Sequence, residues 1–428
     1  MKLKFRHKSK GILYVIFERL LPWQMCNQFK RINLNRIDQI PANTPVLIAA
    51  NHPTAFIDPI IMGDFAHPPL YFMTRGDLFV QPTVRKIFEQ FNMFPVKRTR
   101  DGFNDPDRMD EVTEYTLAQM KDRQALCVFV EGVHHYDKRL MPVQKGIARL
   151  AFMAYEKLKQ DDLQILPVGA AYWITDQPRD VAFINVGTPI YIKDYWEDYQ
   201  KSPAAAVVKL CKDIFEALKP LCLHIDNPDD DTFVERLLTL HRSERPIGHW
   251  PIFHFSGTQF EGEKKVTEWV NAMPEEEKKV LKKAVKKYLH NVRDAGLTDE
   301  ALLHPHWASY SHWIFLLLTL PFFLLGYIVR WPIAALAKNM MDNKIQKREF
   351  KTSIYFGIEL IAGILWLLLW LILAFCTQKA AWIGIAMLLP LLYTFSIIYI
   401  EVAHRAIQSA KAKNHPKKAE LLAERSKL

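Results

Sequence analysis

Two long apolar runs near the carboxyl end, Ile354–Phe375 and Ala381–Ile400, constrain this chain more than any other feature. Each reaches the roughly 20 residues that a helix needs to cross the hydrocarbon core of a bilayer. In that medium only helices and closed barrels satisfy their own backbone. An earlier run, Trp313–Ala337, is less regular, because Pro321, Arg330 and Pro332 interrupt it. Mean hydropathy over the whole chain is only −0.07, so the polarity is split. The first three quarters read as globular, and the stretch from about His312 to Ile400 reads as membrane.

Charge then sorts the membrane segments. The linker Lys338–Lys351 carries Lys338, Lys344, Lys347, Arg348 and Lys351 against Asp342 and Glu349, and the tail after His404 is also basic. Both regions are expected on the cytoplasmic side by the positive-inside tendency. Three crossings would put the globular part opposite them. The conflict disappears if Trp313–Ala337 dips into the membrane and returns, breaking near its prolines, while Ile354–Ile400 forms a two-span hairpin with its turn at Cys376–Lys379. At the amino end, Lys2, Lys4, Arg6, Lys8 and Lys10 precede the apolar run Gly11–Phe17, with no small-residue cleavage site behind it. That pattern predicts an amphipathic helix lying on anionic lipid rather than a signal peptide. The expected organisation is a basic membrane-surface region (1–40), an α/β domain (41–225), a helical extension (226–311), a re-entrant segment (312–337), a basic linker (338–353), a transmembrane hairpin (354–400) and a basic tail (401–428).

The globular part alternates strands and helices. Strands are predicted at Val46–Ala50, Leu70–Met73, Leu126–Val130, Gln164–Trp173 and Val181–Ile192. Helices are predicted from Asp105-Pro106, through Ile147, Leu150, Ala151, Ala154 and Leu158, and from Ser202-Pro203 along Val207, Leu210, Cys211, Ile214 and Leu218. The alternation predicts an α/β fold, a mixed sheet flanked by helices, with a C-terminal helical membrane region. A further helix opens at Pro274 with Glu275–Glu277 and closes at Gly296, its lysines forming a mostly solvated face. The net charge of +10 points to anionic lipid or phosphorylated substrates. No nucleic-acid motif is present in the sequence. The five cysteines are scattered without a CxxC pair, which suits a reducing compartment.

Four blocks carry chemistry. The first, Asn51-His52-Pro53-Thr54-Ala55-Phe56-Ile57-Asp58-Pro59, follows a strand directly, where open sheets place their sites. Neutral imidazole can take a hydroxyl proton near neutral pH, and a carboxylate on its other nitrogen fixes the tautomer, so His52 and Asp58 form a candidate dyad. A helix-capping His beside an Asp in a turn explains the same letters. The second block, Lys97-Arg98-Thr99-Arg100, offers cations for a phosphate, or is a solvated loop. The third runs Phe129-Val130-Glu131-Gly132-Val133-His134-His135 and on to Lys145-Gly146. Here Gly132 permits close backbone approach, and Glu131 would meet a substrate hydroxyl or brace the cations. The adjacent histidines lack the spacing of a metal site. The fourth, Ile165–Trp173, is mostly core, with Pro167 and Gly169 as candidate walls of an acyl groove.

Taken in this order, the blocks resemble the PlsC-like glycerolipid acyltransferase family over residues from about 40 to 225. The likeness is greatest to the branch with an Asn-His-Pro-x-x-x-x-Asp-Pro opening, found in bacterial members and in fungal glycerol-3-phosphate acyltransferases. The resemblance implies His52 as base and Asp58 as its partner. It also implies Lys97 and Arg98 on an acceptor phosphate, with Glu131, Gly132, His135 and Lys145 in substrate binding. By the same resemblance, acyl-CoA or acyl-carrier protein is the donor, and glycerol-3-phosphate or lysophosphatidate the acceptor. No cofactor or metal is called for, and the setting is a membrane, expected to be a bacterial inner membrane with the catalytic domain cytoplasmic. The sequence departs from the family pattern in three places. Five residues rather than four separate His52 from Asp58. Val130 replaces the usual Pro, and Val133-His134 replaces a common Thr-Arg, leaving His135 for part of that role. The rival readings are a catalytically silent membrane scaffold with the same fold and a lipid thioester or ester hydrolase. No Gly-x-Ser-x-Gly elbow supports the hydrolase.

Overall fold

The computed structural model describes residues 12–96, 106–250, 252–379 and 381–428. The amino-terminal lysines, Lys97, Arg98 and Asp105 lie outside them. In chain order the elements are α1 (Ile12–Gln28), β1 (Phe29–Asn35), β2 (Val46–Ala50), α2 (Ile57–Phe65), β3 (Leu70–Arg75), α3 (Pro82–Gln90), β4 (Met93–Val96), α4 (Pro106–Lys121), β5 (Ala125–Phe129), α5 (Gly146–Leu158), β6 (Gln164–Tyr172), β7 (Asp180–Val186) and β8 (Ile190–Tyr191). There follow α6 (Trp196–Lys201), α7 (Pro203–Leu218), α8 (Asp231–Glu244), β9 (Ile252–His254), α9 (Thr258–Ala272), α10 (Glu275–Asp294), α11 (Asp299–Leu303), α12 (Tyr310–Asn343), α13 (Arg348–Thr377), α14 (Ala381–Lys413) and α15 (Lys418–Arg425).

The strands form one mixed sheet in the order β4-β3-β5-β2-β6-β7-β1-β9, with β8 on β6. From β4 to β6 all neighbours are parallel. The β6–β7 pair is antiparallel, and β7-β1-β9 is parallel again. Strands buried on both faces read as continuous apolar runs. That is why Val46–Ala50, buried at every position, stood out in the sequence. Three strands did not stand out. β1 (FKRINLN) is half polar, and β4 and β9 are four and three residues long. The sheet therefore reaches back to Phe29 and forward to His254, past the expected limits of 41 and 225. The expected strand Val181–Ile192 is two strands, broken at Gly187-Thr188-Pro189. There Gly187 N donates to Pro167 O at 2.9 Å.

Helices cover both faces. On one, α5 and α7 bury Ile147, Ala151, Phe152, Leu210 and Ile214 against Leu47, Leu126 and Ile165. On the other, Ile57, Ile61 and Met62 of α2 pack with Ile48, Phe72 and Tyr172, and Phe356 of α13 belongs to the same cluster. Gly169 proves to be a packing position rather than a groove wall. A Cβ there would stand 2.3 Å from Leu221 O. In the helical extension, α10 ends as the sequence predicts, at Gly296 with φ +67°. Its lysine face is not wholly solvated, because Lys278 is buried and pairs with Asp230 at 2.9 Å.

Three helices, α12, α13 and α14, are long and apolar enough to span a membrane. α12 is one continuous helix of 34 residues, with Pro321 and Pro332 inside it, and does not break as expected. A proline removes one backbone bond, and long helices absorb it as a bend. Both ends of α12 lie near the globular part. Just before it, Trp307 stacks under Arg405, which pairs with Glu300 of α11. Just after it, Arg348 pairs with Asp176 at 3.2 Å. α1 inverts the usual pattern, exposing Ile12, Val15, Ile16 and Trp23 while burying Gln24, Asn27 and Gln28.

Candidate active site

β2 and β5 are adjacent and parallel, and their carboxyl ends are in register at Ala50 and Phe129. Loops leaving two neighbouring parallel strands at one edge form the crevice where such sheets hold ligands. Asn51 shapes the first loop. Its side-chain amide donates to Ala170 O at 2.9 Å and accepts from Ala170 N at 2.7 Å. The side chain thus takes the place of backbone on β6 and releases the chain at His52.

His52 Nδ1 lies 2.9 Å from Asp58 Oδ2. The longer spacing between the two is absorbed by the turn 53–56 and by the start of α2, which carries Asp58 in its first helical turn. Thr54 makes that turn reciprocal. Its N–H donates to Asp58 Oδ2 at 3.0 Å, and its Oγ1 accepts from Asp58 N at 3.2 Å. Asp58 Oδ1 accepts from the Tyr172 hydroxyl at 2.5 Å. A fully buried carboxylate costs several kcal/mol unless its oxygens are satisfied. Here the Asp58 side chain is 0% exposed and has three donors. Because that carboxylate only accepts, His52 Nδ1 carries the proton, and Nε2 presents a lone pair. Burial and the neighbouring Asp58 push the Tyr172 phenol well above its usual range, so it stays a donor.

The imidazole is also held by its faces. It stacks on Phe129 at 3.8 Å between centroids, and His134 meets it edge-on at 4.2 Å. Its side chain is 10% exposed.

Glu131 has a different part from the one expected. Among the described residues its carboxylate oxygens are engaged by backbone amides. Its Oε2 accepts from His52 N at 2.9 Å and its Oε1 from Met141 N at 2.8 Å. It fastens the His52 loop to the 141 loop. Burial pushes its carboxyl up, opposed by those two backbone bonds and by His135 and His52. Gly132 sits at φ +68°, a conformation costly for any residue with a Cβ, and lets the chain turn after β5. His135 N donates to His52 O at 3.1 Å, so His135 belongs to the site. Lys145 is exposed at the start of α5, one residue after Gln144, whose N–H bonds Val130 O at 2.8 Å. No polar contact joins it to His52, Asp58 or Glu131 among the described residues.

Sequence reasoning did not assign roles to Asn51, Thr54 and Tyr172. Asn51 and Thr54 lie inside the first block and Tyr172 inside the fourth, so their positions were marked though their bonds were not.

The long apolar helix α13 also touches this site. Ala55 N donates to Glu349 O at 3.1 Å, and Phe56 N to Ser353 Oγ at 3.0 Å. Thr352 Oγ1 donates to Thr175 O. Phe350 meets His134 edge-on at 5.3 Å and Phe56 at 6.3 Å.

The Acyltransferase family model matches residues 31–171, which contain His52, Asp58 and Glu131. Glycerol-3-phosphate O-acyltransferase 2 of Saccharomyces cerevisiae is 31% identical over 108 residues. That match covers 25% of this chain and 14% of the yeast protein, so the similarity spans a small part of its length. With strand-tip His52 and Asp58 in contact inside the matched segment, residues 31–171 are similar to the Acyltransferase family.

Proposed function

We propose that the protein transfers a fatty acyl group from a thioester, of CoA or of a carrier protein, to the hydroxyl of glycerol-3-phosphate or lysophosphatidate. The observation that carries this is the 2.9 Å contact between His52 Nδ1 and Asp58, which leaves Nε2 as the base. The acceptor O–H gives its proton to Nε2 as its oxygen attacks the thioester carbonyl. Asp58 stabilises the resulting imidazolium. The tetrahedral intermediate then expels the thiolate, which takes the proton back from His52, leaving ester, thiol and free enzyme. Lys97 and Arg98 take the acceptor phosphate, and His135 and Lys145 complete the acceptor side. Glu131 and Gly132 act by holding the loops.

The same reading places the α13–α14 hairpin across the membrane. α12 does not cross but lies along the membrane face as one bent helix, and the α/β domain lies on the cytoplasmic face. The proximity of both ends of α12 to the globular part supports that arrangement.

The test is an assay of purified full-length protein in lipid vesicles with both acceptors and both thioester classes. Formation of lysophosphatidate from glycerol-3-phosphate, or of phosphatidate from lysophosphatidate, is expected. Thioester hydrolysis without acceptor acylation would overturn the assignment in favour of a hydrolase.

A further inference from the structure

α13 leaves the active site and runs directly into the apolar region. Its first two turns are bonded to residues 55 and 56, and Phe350 is two ring contacts from His52 through His134. An α-helix turns by about 100° per residue. On that spacing Ile354, Gly357 and Ile361 lie within about 40° of Phe350 on one stripe, with Leu365 about 60° away. The opposite stripe is the packed one. Tyr355, Phe356 and Glu359 are buried against the sheet and the other membrane helices. The Phe350 stripe opens outward, and Ile361 and Leu365 are 61% and 62% exposed. In its middle, Gly357 removes the side chain, and a Cβ there would meet nothing within 4 Å. The stripe is therefore apolar, notched and continuous with the rim of the site at Phe56, Phe350 and the exposed Val133.

We propose that this outer stripe of α13 is the path of the acyl chain. The chain lies along Ile361 and Gly357, passes over the paired rings of Phe350 and Phe56, and delivers its carbonyl end to His52. This deepens the acyl-transfer reading and rests on it. The occupant is an acyl chain rather than a protein partner, because the stripe begins at the catalytic rim and ends among lipid-facing side chains. On this account the hairpin is more than an anchor. It supplies one wall of the donor site, which explains why its first two turns are bonded to the catalytic loop.

The experiment compares Gly357→Phe with Gly363→Phe in the full-length protein in vesicles. A Cβ at either position meets nothing within 4 Å, so both variants should fold. Position 363, however, faces about 140° away from Phe350. Hexanoyl and palmitoyl thioesters of whichever carrier the wild type accepts are the probes. Gly357→Phe should lower kcat/KM for palmitoyl transfer about tenfold or more relative to hexanoyl transfer, whose chain ends before the notch. Gly363→Phe should leave that ratio as in the wild type. Equal ratios for both variants, with an active wild type, would overturn this path and leave the acyl-transfer reading intact. A wild type that transfers neither chain would overturn both.

Discussion

Two buried carboxylates in this protein have similar surroundings and different consequences. Asp58, at the strand tips, accepts from a tyrosine hydroxyl, Tyr172, at 2.5 Å. Glu359, in α13 where it meets α1 and α14, also accepts from a tyrosine hydroxyl, Tyr393, at 2.6 Å, and from Gln24 at 3.1 Å. Nearby, Thr394 of α14 donates to Asn27 of α1 at 2.7 Å. Both carboxylates are closed off from solvent. They differ in their third neighbour. Asp58 holds an imidazole whose far nitrogen makes no bond among the described residues, so satisfying the carboxylate also aims a base. Glu359 is held by groups that do not titrate near neutral pH, so it ties three helices together. A buried carboxylate becomes part of a reaction through a partner with an open far side, and burial alone does not suffice.

Substitutions at the two sites sharpen that contrast. The largest effect among the carboxylates is expected for Asp58→Asn. It removes the acceptor that fixes the His52 tautomer and should lower kcat about 10²- to 10⁴-fold with little change in acceptor KM. Steady-state kinetics on the folded variant would show it, and a loss confined to KM would break the comparison. Tyr172→Phe takes one charge-assisted bond from Asp58 and should cost about tenfold in kcat. Glu359→Gln should leave kcat within about twofold while lowering Tm by about 1–3 °C, because its role is packing and hydrogen bonding. A catalytic loss comparable to that of Asp58→Asn would contradict the division of roles.

The smallest effect concerns a third buried carboxylate, Asp180 on β7. Burial pushes it up to about 7, against backbone bonds from Ile174 and Val181 and the charges of Lys138 and Arg242. The folded state therefore binds a proton more tightly than the unfolded chain does. This group's contribution to stability is fully present at acid pH, falls as pH rises from about 4 to about 7, and is constant above. Asp180→Asn should flatten that part of the Tm–pH profile, seen by calorimetry, whereas Asp58→Asn should not reproduce the flattening.

In the parallel half of the sheet β3, β5, β2 and β6 were legible in the sequence because they are largely buried and read as apolar runs, whereas the short β4 was not. β2 was placed to the residue. The other half was harder to see. Lys30, Arg31, Asn33 and Asn35 in β1 hide a strand that is held by pairing with distant β7 and β9, and sequence spacing carries no sign of such pairing. At the site, His52 and Asp58 were legible as chemistry, and their contact agrees with that reading despite the longer spacing. The part played by Glu131 was not, because both its partners are backbone amides and any residue supplies those. The contact between α13 and the catalytic loop was not legible either. About 300 residues separate Phe56 from Ser353, and the bonds again use backbone groups on the catalytic side.

The central claim is that His52 is the base. It is tested most directly by the initial rate of acyl transfer to the accepted acceptor, measured side by side for wild type and His52→Ala in vesicles at matched protein content and matched Tm. The account predicts acyl transfer by the wild type and a rate indistinguishable from background for the variant, with thioester still bound. A His52→Ala protein that acylates the acceptor at the wild-type rate would contradict it.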